Sequence, residues 1–388
     1  MSLHIVDDEQ RGDRPATPMR PSGSGGAGAS AALALLDDVH RHRLRRAALH
    51  LPPRRSERGP SQFSDGLLAP KDRSILAEMG LDARQNLTGL AKKVKLSKQV
   101  VSYRIKQLER MKIIRGYHAI PDIYRLGKAH FRVFVKYHQL DAETEAELIR
   151  ELSRCPEISW LTLLDGDFDL EFVVWSDHIM EFERIYDDIL ARFGKYFQEK
   201  YFSIGTRVEY LPFRFLNPDF TAGRALVFGG AYGRRQLDEQ DKRILYETNH
   251  NGRISLAALA GKLGISVAVA RHRLQGLMES GVIIGFGLKI DHKRLGLTYR
   301  KVLLKLNAPA KERIDRIAAH LRRQPAVIFL VKTIGAYDFE FELLTESNEQ
   351  FYHFMKAFRS RFAADIKGHN SVLVHDELKY GQLSLRSL

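Results

Sequence analysis

A single cysteine, Cys155, serves 388 residues, so no intrachain disulfide is available and a reducing compartment is expected. Long hydrophobic runs are missing as well. No stretch approaches the ~20 apolar residues that a membrane-spanning helix needs, so no membrane partner is expected. The N-terminus has no apolar core of a secretion signal, and a cytoplasmic location is the expectation. Acidic residues are in deficit: 47 Asp and Glu stand against 61 Lys and Arg, a net charge of +14. That balance favours an anionic partner. Catalytic signatures are absent too, with no P-loop, no H-E-x-x-H and no Ser-His-Asp arrangement. His118, His130, His138, His178, His292, His353 and His369 lack the paired spacing of a metal site and read as surface or half-buried residues. No metal, no cofactor and no enzyme activity are expected.

What is present begins with length. A chain of 388 residues exceeds what one core usually serves, so roughly two to four domains are expected. Residues 1–65 read as a basic tail. Pro21 to Gly28 is low-complexity, and 41–58 carries seven arginines against Glu57. Gly23, Gly25 and Gly28 satisfy G-x-G-x-x-G, but Pro and Ser surround them and no strand precedes them, so no dinucleotide site is expected. One helix over 31–50 is a further option for this tail.

From Pro70 the pattern turns helical. Asp72, Ile75, Leu76 and Met79 follow at helical spacing, then a short amphipathic helix over 87–94, then a turn in which Ser97 can cap the next helix. In that helix Val100, Val101, Ile105 and Leu108 are expected inside. Lys98, Gln99, Ser102, Tyr103 and Lys106 are expected outside, which is the distribution of a DNA recognition helix. Gln99 can bond adenine bidentately, Lys98 can reach guanine, and the others can hold phosphates. Arg104 falls beside the buried stripe and reads as a structural or phosphate-facing residue. Tyr117 to Ile120 alternates like a wing strand.

Residues 129–210 alternate strand, helix, strand, strand, helix, strand, the split βαβ order of a ferredoxin-like unit. Helices on one face of such a sheet leave the other face free to pack on a like sheet. After a linker at 213–235 the pattern returns. Asp72 to Leu76 matches Asp241 to Leu245 at an offset of 169, and the same offset carries Ser97, Leu108, Gly116, Gly166 and Asp169 onto Ser266, Leu277, Gly285, Gly335 and Asp338 without a gap. The fold class is therefore α+β, two copies of a winged helix-turn-helix followed by a ferredoxin-like domain. The expected divisions are 66–122, 123–212, 236–291 and 292–382.

The copies differ in charge. From 92 to 115 there are nine basic residues and one acid, Glu109; the matching 261–284 has Lys262, Arg271 and Arg273 against Glu279. Affinity for DNA should then rest on the first module, with Arg271, His272 and the small apolar residues of the second reading weakly.

With Leu-Ala, Ser, Val, Arg, Leu and Gly so arranged, and with Gly166-Asp167-Phe168-Asp169 and Gly335-Ala336-Tyr337-Asp338 following, both halves resemble the Lrp/AsnC (feast/famine) transcription regulators. The resemblance covers about residues 67–380. It implies a DNA-binding winged helix-turn-helix and a C-terminal RAM domain that self-associates through its sheets and often senses an amino acid. Such regulators usually carry one copy and dimerise, so this chain looks like a covalent pseudo-dimer. It also carries over Gly166, Asp169, Gly335 and Asp338 as effector-site candidates, with a purely structural turn as the alternative. Siroheme decarboxylases resemble the same family and form the second reading. Against them stand the basic recognition helix and the strands Trp160 to Leu164 and Ile328 to Lys332, which lack a His-x-Tyr-x-Arg cluster.

Overall fold

The protein is described here by a computed structural model covering residues 68–80, 82–217, 225–229, 235–385 and 388. The tail of 1–65, with its glycine motif, its arginines and the helix over 31–50, lies outside the described residues.

Three helices form the first module: α1 (Pro70–Met79), α2 (Leu87–Val94) and α3 (Lys98–Arg110). Each start has a local cause. Pro70 occupies the first turn of α1, Asn86 accepts from the Gly89 amide at 2.7 Å, and Ser97 accepts from the Val100 amide at 3.3 Å. Ile75, Leu76, Leu90, Val101, Ile105 and Leu108 close the module's core. Strand β1 (Ile114–Pro121) follows. The second half repeats this as α6 (Glu239–His250), α7 (Leu256–Leu263), α8 (Val267–Glu279) and β7 (Ile283–Ile290). The two wing strands pair antiparallel with each other, His118 opposite Gly287, so the wings form a ribbon joining the modules. Each half also packs across it. Arg84 lies over the Phe286 ring at 5.4 Å, and its counterpart Arg253 lies over Tyr117 at 5.3 Å.

Between the modules in sequence come β2 (Ala129–Tyr137), α4 (Ala142–Arg154), β3 (Ile158–Gly166), β4 (Leu170–Ser176), α5 (Ile179–Phe193) and β5 (Phe197–Tyr210). The second βαββαβ unit is β8 (Thr298–Leu306), α9 (Lys311–Leu321), β9 (Val327–Gly335), β10 (Phe339–Thr345), α10 (Asn348–Arg361) and β11 (Ile366–Lys379). Alternate residues Phe131, Val133 and Val135 face α4 and α5, and Val302, Leu304 and Leu306 face α9 and α10.

The sequence suggests that the two sheets meet face to face; the structure adds hydrogen-bonded edges. Strands β5 and β11 are 14 residues long, enough to pair with their own sheet at one end and with the other half's sheet at the other. The order β2-β4-β3-β11-β8-β10-β9-β5 therefore closes back on β2, leaving these eight strands without a free edge. The stretch read as linker contains a short strand, β6 (Leu226–Gly229), which pairs with the end of β5.

Candidate nucleic-acid interface

Lys98, Gln99, Tyr103 and Lys106 are exposed on α3, Tyr103 to 60%, and Ser102 is half-buried. Val100 differs from expectation. It lies at 39% exposure on the same outer face, because α3 rests on Val101, Ile105 and Leu108 alone. That adds an apolar side chain among the polar ones, suited to a thymine methyl. Lys92, Lys95, Lys98, Lys106, Arg110 and Lys112 are exposed, and none has an ion-pair partner among the described residues. Arg104 does have one: its Nη1 sits 3.0 Å from Asp72 Oδ1, which ties α3 to α1. Lys93 is likewise held by Glu78 at 3.1 Å.

The second module is electrostatically quieter than its sequence suggests. Arg273 is gripped by Asp238 at 2.7 Å and Asp241 at 2.9 Å, and Lys262 is held by Glu247 at 2.6 Å; the hydrogen bond from the Asp241 amide, and after it Arg273, pulls the Asp238 carboxyl below its usual range. Arg271 and His272 are exposed on α8, flanked by the outward-facing Val267 and Val269. Among the described residues Arg271 is thus the one cation of α8 without an ion-pair partner, where the first module offers several.

The turn glycines take the backbone into left-handed space, φ +125° at Gly166 and +131° at Gly335. A Cβ on Gly335 would lie 2.5 Å from the Phe202 carbonyl oxygen, so the residue is small because β5 of the other half passes there. The acids beside them are engaged by the chain itself. Asp169 Oδ2 accepts from the Tyr137 amide at 2.8 Å with Lys136 at 3.1 Å, and Asp338 Oδ2 accepts from the Leu306 amide at 2.8 Å.

Sequence reasoning missed a buried charge cluster inside the ring of strands. Arg132 bridges Glu171 at 2.6 Å and Glu340 at 2.8 Å, while Lys301 contacts Glu171 and lies 3.1 Å from Glu342. Each half's base holds an acid of the other half. Burial pushes the Glu340 carboxyl up to about 7, against the pull of Arg132 and Lys301. The signal was present in the repeat: charged residues inside otherwise apolar strands, Arg132 matched by Lys301 and Glu171 by Glu340 at the same offset. The histidines also need correcting. His118 and His130 are fully buried, and neither ring nitrogen of either has a hydrogen-bond partner among the described residues. Among the described residues no helix is long and apolar enough to cross a membrane.

Comparison with known proteins accords with this geometry. The winged helix-turn-helix DNA-binding family matches twice, at 68–115 and 237–284. The HTH-type transcriptional regulator AldR of Mycolicibacterium smegmatis is 30% identical over 146 residues, covering 37% of this chain and 85% of that protein. The proline dehydrogenase transcriptional activator of Rhodobacter capsulatus is 35% identical over 130 residues, 32% of this chain and 82% of its own length. The chain belongs to the Lrp/AsnC family of transcriptional regulators. Among solved structures, that of the siroheme decarboxylase NirDL covers 81% of this chain and 93% of its own, with a TM-score of 0.55 and 16% identity. That likeness concerns the fold, here in its two-copy form.

Proposed function

We propose that the chain is a sequence-specific, non-enzymatic regulator of transcription, acting on double-stranded DNA in the cytoplasm and reading it mainly through α3. The observation that carries the reading is the contrast between the two modules. The first presents several exposed cations, without ion-pair partners among the described residues, around a helix start that offers Lys98, Gln99 and Tyr103; the second has most of its charge neutralised by its own acids. Phosphate contacts set affinity and base edges set specificity, so the first module supplies both. The second, joined to it by the β1–β7 ribbon, is held at a fixed spacing and reads a second half-site through Arg271, His272 and the exposed valines. Association of further chains through the RAM domains extends the assembly. An amino-acid effector at the Gly166 and Gly335 turns has less support, since Asp169 and Asp338 already accept backbone amides.

Selection from a pool of genomic fragments tests this. The intact protein should enrich a small set of duplexes, and Lys98→Ala with Gln99→Ala should abolish the enrichment. Equal enrichment by both proteins would sink the reading. The siroheme decarboxylase alternative draws only on the shared two-copy fold; incubation with siroheme should leave the pigment's absorption spectrum unchanged, and a spectral shift with turnover would favour the enzyme.

A further inference from the structure

A cavity of about 250 Å³ lies between the wing ribbon and the second half's sheet. Several strands converge on it: β1 brings Arg115 and His118, β7 brings Lys289, β9 brings Phe329 and β11 brings Glu377. Tyr210 and Tyr380 complete an aromatic wall. The volume is just under the ~300–1,000 Å³ of drug-sized ligand sites, which suits a molecule of one or two rings.

Polar groups here are unsatisfied in a way that protein interiors rarely allow. Among the described residues neither ring nitrogen of the buried His118 has a hydrogen-bond partner, nor does the buried Glu377 Oε1. The Lys289 ammonium has no acid within ion-pair distance among the described residues; it lies 4.9 Å from the centre of the Tyr380 ring. Burial and the nearby Arg115 lower the Lys289 amine to about 8, so it still carries its charge at neutral pH. Glu377 is pushed up to about 8 by burial and by Glu342, so it meets a ligand as a hydroxyl donor.

The duplication supplies a control. At the offset of 169, Lys289, His292 and Glu377 correspond to Ile120, Ile123 and Val208, all buried. Phe329 and Leu344 correspond to Trp160 and Trp175, and Gly381 of the C-terminal segment packs against both indoles. The first copy places aliphatic and indole side chains at these positions, with His130 where the second has Tyr299, while the second opens a cavity lined by Lys289, His292 and Glu377.

We propose that this cavity binds a small aromatic carboxylate, its acid group held by Lys289 and Arg115 and its ring held among Tyr210, Phe329 and Tyr380. His118 and Glu377 take the polar substituents of the ring. The ligand would touch both wing strands and the sheet at once, although its binding does not depend on the DNA-reading assignment. Lysine and arginine at a half-desolvated site prefer a carboxylate to its neutral amide, which gives the class its test.

Calorimetric titration of the full chain with 4-hydroxyphenylacetate, indole-3-acetate and benzoate should show saturable binding by at least one. The matching amide should bind at least about tenfold more weakly. Lys289→Met removes the cation, and Leu378→Trp, at a half-exposed lining position, narrows the cavity without touching the charge. Both variants, checked for native circular dichroism, should lose binding by about tenfold or more. No saturable binding of any probe at millimolar concentration overturns the assignment. So does equal binding of the amide, or undiminished binding by either folded variant.

Discussion

Arg132 is the residue on which the joining of the two halves turns, because it holds Glu171 of its own half and Glu340 of the other inside the closed ring of strands. Removing one partner of a buried ion pair typically costs about 3–5 kcal/mol. Arg132→Met should fall in that range at alkaline pH and cost less in mild acid, where Glu340, already raised to about 7, takes up a proton instead of standing unpaired. Urea unfolding at two pH values checks this; a small, pH-independent cost would contradict it. Glu377 makes a second prediction. Its folded carboxyl lies at about 8 against 4.5 for the ordinary group, with Glu342 adding to burial and Lys301, Lys289 and Arg115 opposing. The folded state therefore keeps a proton that the unfolded state gives up, and stability falls as pH rises from about 5 to about 8. Glu377→Gln should be stabilised relative to the parent at the upper end of that window and nearly equal at the lower, as read from Tm. At this scale the sequence was legible wherever exposure follows helical period, as at Lys98, Gln99 and Lys106. Where burial depends on partners from the other half, it misled at His118 and was silent at Arg132.

At the scale of elements, the turn between α2 and α3 shows strain accepted for charge. Lys95 sits in the left-handed region at φ 55°, where its counterpart in the second module is Gly264 at φ 68°. A side chain there costs about 1 kcal/mol that glycine avoids. Lys95→Gly should raise Tm while weakening DNA binding and reducing its salt dependence. A rise in Tm with unchanged DNA affinity would show that Lys95 has no phosphate to hold. The order and type of the elements could be read from periodicity and from the cap at Ser97, which accepts the Val100 amide as its counterpart Ser266 accepts that of Val269. The pairing of β1 with β7 could not, because strand partners distant in sequence leave no local trace. Nor could β6, four residues with too little pattern to separate from a loop. Val100 was misplaced for a related reason: period alone gives a stripe's direction, and the width actually buried depends on what α3 packs against.

The whole molecule is a pair of halves that complete each other. Each contributes one long strand to the other's sheet, β11 pairing with β3 and β5 with β9. A fragment of residues 235–388 alone would expose those strand edges and the buried charges of Lys301 and Glu340. It should dimerise or aggregate, as light scattering after size-exclusion chromatography would report; a stable monomer would contradict the closed ring. The duplication was plain from the gapless offset, yet which copy does what depends on ion pairs that only the fold reveals. Lys262 and Arg273 count as bases in sequence and as neutralised pairs in three dimensions.

The central claim is that DNA affinity is carried by the first module, and the slope of binding against salt concentration measures it directly. Each phosphate contact contributes about 0.9 to the slope of log K against log salt. Lys98→Ala with Lys106→Ala should lower the slope by nearly two units, whereas Arg271→Ala should lower it by one at most. A larger loss from Arg271→Ala than from the α3 pair, or no salt dependence in the intact protein, would contradict the account.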